Sequence, residues 1–311
     1  METAAFDSTQ AFQATDEMSE SMRVRDLLRK GQQMLVRSGV SNGLQEASWI
    51  VQAGLGVKPL GLYVDGARIV KDDERERVLS LLHRRTKLEP LQYILGTQEF
   101  CGLEFVVTPS VLIPRPETES LVGEILRVAR HRPVPVVADI GTGSGCVAVA
   151  LAKELRNTTV YAIDVSAAAL DVAGANAKRH HVAQRIHFLK GDLLIPLQEL
   201  GLERRITVMI SNPPYIPDHE ISGLQAEVSQ YEPPLALAGG PDGLAFHRRL
   251  LREAPPFLES GGLLVVEVGE GQAETVAHMA AGLDAYRDIQ ILKDQVGLPR
   301  AVRLERRASL S

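Results

Sequence analysis

The sequence predicts an α/β protein in which a mostly parallel seven-stranded sheet carries helices on both faces, preceded by a small helical bundle. From about residue 115 onward, short apolar runs alternate with helical stretches of about ten to fifteen residues, which is typical of a parallel sheet. Before about residue 90, apolar side chains instead recur at helical spacing. The length of 311 residues accommodates one large and one smaller domain.

Composition places the chain among ordinary globular proteins, with 45% hydrophobic and 23% charged residues. A net charge of −5 argues against nucleic-acid binding through a broad basic surface. The two cysteines are too few for a disulfide framework, and the eight histidines show no metal-ligand spacing. No apolar run reaches the roughly 18 residues of a membrane span, and the start does not resemble a signal peptide. We therefore expect a cytoplasmic protein without a membrane segment or a bound metal.

The elements that precede the sheet are predicted from composition and spacing. Residues 1–22 are rich in Ser, Thr, Gln and acids without apolar periodicity, which predicts a disordered tail. Residues 23–89 form the helical bundle, with glycines between its short helices. Residues 90–114 change to short β-type runs around Phe100 and Phe105, which predicts a β-hairpin connector.

Residues 115–311 are predicted to form the α/β domain. Its strands are expected at 134–140, 158–164, 186–192, 206–212 and 262–268, with two further candidates at 288–293 and 301–304. The strand pair nearest the carboxyl terminus is expected to include an antiparallel edge. The carboxyl ends of the parallel strands are then the place to look for a binding site.

A glycine-rich turn follows the first of these strands directly and precedes a helical run. It consists of Gly141, Thr142, Gly143, Ser144 and Gly145. Glycines let the backbone turn tightly and approach a ligand, and the following helix presents unpaired N–H groups to that ligand. A plain strand-to-helix turn is the alternative reading.

An acidic residue ends each of the next two strands. Asp164 lies about twenty residues after the glycine turn, where a carboxylate accepts hydrogen bonds from ribose hydroxyls in doubly wound nucleotide sites. The alternative is a helix cap, but Ser166 already suits that position. Asp192 closes the third strand, and with Leu193 beside it can contact the edge and the face of an adenine. An exposed acid at a strand end is the alternative for Asp192.

The most informative segment is Asn212, Pro213, Pro214 and Tyr215, at the end of the fourth strand. An amide or exocyclic aromatic nitrogen is a poor nucleophile, so its orientation must supply much of the rate. The Asn212 side-chain oxygen and the Pro213 carbonyl can each accept one N–H of such a group. The prolines stiffen the loop and Tyr215 offers a flat face. A simple proline turn is the alternative.

Taken together, these motifs resemble those of the class I methyltransferases, and more narrowly of the HemK/PrmC-type enzymes that methylate glutamine in peptide chain release factors. The resemblance covers about residues 23–304. Besides the glycine turn and Asn212 to Tyr215, it depends on segments 90–96, 111–119, 232–233 and 238–244. Adenine methyltransferases share the Asn-Pro-Pro-Tyr element, whereas segment 114–119 and the helical bundle are more specific.

The resemblance implies a Rossmann-like domain that binds S-adenosylmethionine through the glycine turn and Asp164, with Leu193 bordering the adenine. Because some relatives have an aromatic residue there, we expect weaker stacking on Leu193.

In this resemblance, Asn212 lies near both cofactor and substrate. Asn212 to Tyr215 form the glutamine pocket, with Asn212, Pro213 and Tyr215 as the catalytic group. The resemblance also implies that segment 114–119 lines the active site. The alternative is purely structural, because a proline at the start of a helix and glutamates in its first turn suit the helix dipole without any ligand. Whether Glu117 or Glu119 acts there stays open.

The implied reaction transfers a methyl group to the glutamine side-chain nitrogen of a Gly-Gly-Gln motif in a release factor. The products are N5-methylglutamine and S-adenosylhomocysteine. The helical domain is expected to recognise this protein substrate, with no membrane partner and no dedicated nucleic-acid binding. The alternatives are glutamine methylation of a ribosomal protein, adenine-N6 methylation of nucleic acid, and a non-catalytic nucleotide-fold protein.

Overall fold

The computed structural model describes residues 22–132, 135–294 and 296–308. The chain divides into two compact units, with the boundary between Lys87 and Leu88. The predicted disordered tail lies outside the described residues, except for Met22. In the described part of the chain, every helix is too short or too polar to span a lipid bilayer.

From residue 22 onward, where the structure describes it, the first unit contains four helices whose apolar faces meet in a small core. They are α1 (Val24–Arg37), α2 (Gly43–Leu55), α3 (Pro59–Val64) and α4 (Asp72–Thr86). The predicted helical spacing places Leu27, Ile50 and Leu82 in this core, all fully buried. A Cβ on Gly54 would come within 2.5 Å of Val78, so the glycine allows α2 and α4 to approach closely.

The second unit opens with helix α5 (Leu91–Leu95) and an antiparallel hairpin of β1 (Thr97–Phe100) and β2 (Leu103–Val106). A hairpin is therefore present where the sequence predicted one. Asn176 links this hairpin to the rest of the unit, because its side-chain oxygen accepts the Val106 N–H at 2.7 Å. The same amide donates to the carbonyl of Ser144, in the glycine turn, at 2.9 Å.

A seven-stranded sheet with helices between its strands forms the rest of the second unit. The strands are β3 (Val136–Ile140), β4 (Thr159–Asp164), β5 (Ile186–Lys190), β6 (Ile206–Ser211), β7 (Leu258–Glu267), β8 (Tyr286–Lys293) and β9 (Pro299–Arg306). The helices are α6 (Pro116–Ala129), α7 (Cys146–Glu154), α8 (Ala167–Arg179), α9 (Ile195–Glu199), α10 (Ala226–Ser229), α11 (Ala245–Glu253) and α12 (Ala273–Ala281).

The strand order across the sheet is β5-β4-β3-β6-β7-β9-β8. Strands β3 to β7 run parallel, and β9 runs antiparallel to both β7 and β8. The prediction of a mostly parallel sheet with an antiparallel edge is confirmed. All seven predicted strands form, with β7 beginning four residues earlier than predicted, at Leu258.

Alternate residues of the central strands point to opposite faces of the sheet, and each face has its own core. Val137 and Val208 pack with helices α6 and α7 on one face. Ala138 and Met209 pack with α11 and α12 on the other. Both faces are buried, which explains why the parallel strands are nearly continuous apolar runs.

Candidate active site

An open cavity of about 400 Å³ lies at the carboxyl ends of the parallel strands in the second unit. The chain order reverses between β3 and β6, which are neighbours in the sheet, so their following loops diverge and leave a crevice. Ile140 pairs with Ile163 of β4 and with Ser211 of β6. The glycine turn, Asp164 and Asn212 follow these three residues and therefore meet at one edge.

The glycine turn needs glycine for two different reasons. Gly141, Gly143 and Gly145 all have positive φ, which disfavours residues with a Cβ. A Cβ on Gly143 would meet no protein atom within 4 Å, whereas one on Gly145 would lie 2.9 Å from the Ala173 Cβ. Gly143 thus leaves space open to the cavity, and Gly145 allows helix α8 to pack closely.

The hydroxyl of Thr142 points into the protein rather than toward a ligand. It donates to the Asp139 carboxylate at 2.7 Å, and the same carboxylate oxygen accepts the Ala148 N–H at 3.2 Å. Burial raises the pKa of Asp139 to about 6. Thr142 and Ser144 both line the cavity and are almost fully buried, so their side chains mainly hold the turn in shape.

Asp164 lines the cavity and also holds the glycine turn through hydrogen bonds. One carboxylate oxygen accepts the Gly143 N–H and the other the Ser166 N–H, both at 2.9 Å. Ser166 itself caps α8 by accepting the Ala169 N–H, as predicted. Each carboxylate oxygen keeps a further lone pair that can accept from a ligand hydroxyl.

Asp192 and Leu193 line the far end of the cavity together with two side chains from α11, Phe246 and Arg249. Arg249 donates to both oxygens of Asp192, at 3.0 and 2.8 Å. Sequence reasoning missed Phe246, which supplies an aromatic ring at the end where Leu193 lacks one. Nothing in the local sequence marks it, because a phenylalanine in an amphipathic helix is ordinarily a core residue.

The Asn212 loop borders the cavity from the β6 side, with Pro213 and Pro214 also in its wall. The Ser211 hydroxyl donates to the Ile140 carbonyl at 2.8 Å and ties the two strand ends together. The Asn212 side-chain nitrogen donates to the Thr118 hydroxyl oxygen at 3.3 Å. Within the described residues, no hydrogen bond of the protein ends on the Pro213 carbonyl.

Tyr215 is not part of the cavity wall. Its ring lies against Gly269, where a Cβ would approach within 3.0 Å, and its carbonyl accepts from Gln272 at 2.9 Å. Burial, followed by the nearby Glu267 carboxylate, raises the pKa of Tyr215 to about 12. The tyrosine therefore stays neutral and anchors the end of the loop.

Segment 114–119 contributes to the cavity through Pro114, Arg115 and Thr118, while neither Glu117 nor Glu119 lines it. Arg115 pairs with both oxygens of the buried Glu232 carboxylate, at 2.8 and 2.9 Å. Glu119 accepts the Cys101 N–H at 2.9 Å, on another side of the helix. Thr118, which sequence reasoning did not single out, is thus the residue of this segment that contacts Asn212.

Comparisons with known proteins agree with this architecture. A family model described as the PrmC N-terminal domain matches residues 26–96, and the methyltransferase small domain matches residues 121–230. In fold, a methyltransferase from Pyrococcus furiosus matches with a TM-score of 0.50 and 20% identity, covering 73% of this chain and 99% of that one.

Curated relatives match over nearly the whole chain. The release factor glutamine methyltransferase of Geobacter sulfurreducens is 45% identical over 286 residues, which cover 92% of this chain and 98% of that protein. Its counterpart in Gloeobacter violaceus is 40% identical over 258 residues, covering 83% and 88% of the two chains. This chain belongs to the family of release factor glutamine methyltransferases.

Proposed function

We propose that this protein transfers a methyl group from S-adenosylmethionine to the side-chain nitrogen of the glutamine in the Gly-Gly-Gln motif of peptide chain release factors. Family membership supports the substrate class. The observation that carries the chemistry is the Asn212 carboxamide, held at the cavity wall by its nitrogen with its oxygen left to accept from a substrate amide. The products are N5-methylglutamine and S-adenosylhomocysteine, and the reaction takes place in the cytoplasm.

The cavity has a volume and polar groups that suit S-adenosylmethionine. Its volume of about 400 Å³ is within the range of small-molecule sites, and Gly143 leaves backbone space open. We assign Asp164 to the ribose hydroxyls and the glycine turn, Gly141 to Gly145, to the amino-acid end. Leu193 and Phe246 would contact the adenine, and Asp192 would lie at its edge. When bound, this cofactor supplies an electrophilic methyl group on a sulfonium sulfur.

The acceptor amide is oriented by two oxygens of the Asn212 loop. The Asn212 side-chain oxygen and the Pro213 carbonyl each accept one N–H of the glutamine amide, so that its nitrogen faces the methyl group. Pro213 and Pro214 hold this loop at fixed φ, and Tyr215 anchors its end. Acceptance of both N–H bonds favours the positive charge that develops on nitrogen during attack. The proton leaves after transfer, so a carboxylate base is not needed.

Selectivity for the release factor requires contacts beyond the amide, because every glutamine carries the same group. The helical unit offers such a surface. Leu60 and Val64, four residues apart on α3, are 71% and 72% exposed. Adjoining exposed apolar side chains on one helix can contribute to a protein-binding surface. We assign them to contact with the folded release factor.

The test compares four acceptors for methyl transfer: an intact release factor, its Gly-Gly-Gln loop peptide, a ribosomal protein and an adenine-containing oligonucleotide. Methylated sites are mapped by mass spectrometry. The intact factor should be the best acceptor, modified at the Gly-Gly-Gln glutamine, because remote contacts help to place the amide. Preferential methylation of the oligonucleotide would overturn the substrate class.

The docking surface is tested by the double variant Leu60→Asp, Val64→Asp in the same assay. It should raise the KM for the intact factor by about tenfold, which corresponds to about 1.4 kcal/mol, and leave transfer to the loop peptide unchanged. Leu200→Asp, an equally polar change at an exposed apolar residue of the second unit, is the control. Equal losses with factor and peptide would contradict a docking role.

A further inference from the structure

The direction of the Asn212 carboxamide decides whether the site can bind a substrate amide. With its oxygen toward the cavity, the side chain accepts an N–H of the substrate. With its nitrogen toward the cavity, its N–H₂ group would face the N–H groups of the substrate, and two donors cannot form a hydrogen bond. In the structure the nitrogen faces away, donating to the Thr118 hydroxyl oxygen at 3.3 Å. Something must hold the carboxamide in this direction, since its two ends are nearly equal in size.

The chemistry of Thr118 determines which end of the carboxamide it binds. The threonine hydroxyl has one hydrogen, and it donates that hydrogen to the Glu267 carboxylate at 2.6 Å. The hydroxyl oxygen can then only accept from Asn212. An acceptor pairs with the carboxamide nitrogen and repels its oxygen, so the threonine selects the productive direction.

Glu267 is fixed by its surroundings. It is the last residue of β7, is only 2% exposed, and is paired in register with Ala301 of β9. Its carbonyl oxygen is hydrogen-bonded at 2.8 Å to the ring of His247, which is fully buried in α11. These contacts fix the main chain of Glu267, and in its ionised form the buried carboxylate gives Thr118 a hydrogen-bond acceptor.

We propose that Thr118 and Glu267 are positioning residues that fix the carboxamide of Asn212 with its oxygen toward the acceptor amide. Thr118 lines the cavity but acts through Asn212, and Glu267 lies behind it outside the cavity wall. This inference rests on the proposed function for its kinetic readout. It explains why segment 114–119 reaches the site although neither of its glutamates does.

The kinetic test uses Thr118→Val, which keeps the shape of the side chain and removes the hydroxyl, and Thr118→Ser, which restores it. Single-turnover methyl transfer is measured with saturating S-adenosylmethionine. Thr118→Val should be about 10- to 100-fold slower, because a preorganised hydrogen bond is lost. Thr118→Ser should stay within about threefold of wild type, and calorimetric affinity for S-adenosylhomocysteine should be the same in all three.

A double-variant comparison separates action through Asn212 from independent action. Thr118→Val is added to Asn212→Ala, which has no carboxamide left to orient. The additional loss should be less than about twofold, because residues that act as one unit are not additive. A Thr118→Val effect of the same size in both backgrounds would overturn the proposal, as would a Thr118→Ser variant as slow as Thr118→Val.

An NMR measurement tests the inference without methyl transfer. The side-chain N–H₂ signals of Asn212, assigned by their absence in Asn212→Ala, should shift in Thr118→Val and Glu267→Met and remain in place in Thr118→Ser. Unchanged signals in the first two variants would overturn the proposed contact. If the wild-type enzyme methylated no acceptor while these shifts occurred, the proposed function would fail and the positioning role would stand.

Discussion

At the scale of single residues, Asp164, which we propose binds the ribose, also supports the glycine turn. Its two carboxylate oxygens hold the backbone of the glycine turn and of the α8 start, through Gly143 and Ser166. The lone pairs left over face the cavity. Replacement of this side chain therefore removes ligand contacts and loosens the turn at the same time. The effect on ligand affinity should exceed that of one neutral hydrogen bond.

We expect Asp164→Ala to weaken binding of S-adenosylhomocysteine by about 10- to 100-fold, since hydrogen bonds to a charged group contribute about 1.5–3 kcal/mol. Isothermal titration calorimetry measures the change. Asp171→Ala is the matched control, because it removes the same charge from an exposed position on α8 that does not line the cavity. Equal affinities of both variants and wild type would remove Asp164 from the cofactor site.

At the scale of elements, a glycine-rich segment, residues 239–243, packs directly on the Asn212 loop. Gly239 donates to the Ile216 carbonyl at 2.8 Å, and Ile216 donates to Leu237 at 3.1 Å. A Cβ on Gly239 would lie 2.8 Å from backbone atoms of Tyr215. The close approach of these two segments explains why this segment is rich in glycine, although it is distant in sequence from the glycine turn.

Gly239→Ala should displace the backbone of Tyr215 and with it the Asn212 loop. Overpacking of this kind costs about 1–3 kcal/mol of stability, and methyl transfer should fall by more than about tenfold. Urea denaturation and single-turnover rates measure the two effects. In Gly174→Ala, the control within helix α8, a Cβ meets no atom within 4 Å, so stability should rise by about 0.5–1 kcal/mol. A Gly239→Ala enzyme as stable and active as wild type would contradict the packing argument.

At the scale of the whole molecule, the buried Glu267 carboxylate makes folding dependent on pH. Burial, the largest cause, raises its pKa from 4.5 to about 7, and the Thr118 hydrogen bond opposes this rise. Below about pH 4.5 the group is protonated in both folded and unfolded chains. As the pH rises to about 7, the unfolded chain loses the proton first, so the folded state loses relative stability.

Glu267→Gln removes this dependence, because glutamine does not titrate. The free energy of unfolding of the variant relative to wild type should therefore increase between about pH 4.5 and 7 and level off above that. The increase should be roughly 3 kcal/mol, at about 1.4 kcal/mol per pKa unit. Urea denaturation of both proteins across this range measures it, and the other titrating groups, including Asp139, cancel in the difference. A constant difference across the range would show that Glu267 does not titrate there.

The sequence by itself determined the secondary structure and the main elements of the site. Apolar periodicity and turn residues act over a few neighbouring positions, so all seven strands, the hairpin and the start of α8 were predictable. The glycine turn, Asp164 and Asn212 were predictable too, because parallel strands bring their carboxyl ends to one edge. Their roles toward cofactor and substrate stay predictions.

Only the tertiary structure decided which side chains, distant in sequence, support the carboxyl-terminal edge of the parallel strands. Thr118 and Glu267 are 149 residues apart and meet because α6 packs beside β7. Arg249 reaches Asp192 from α11, 57 residues away, and brings Phe246 to the same wall. Such contacts depend on strand order, helix packing and side-chain direction, which no local pattern encodes. The sequence therefore predicts which edge of the sheet carries the site, and the fold decides which side chain the Asn212 carboxamide contacts there.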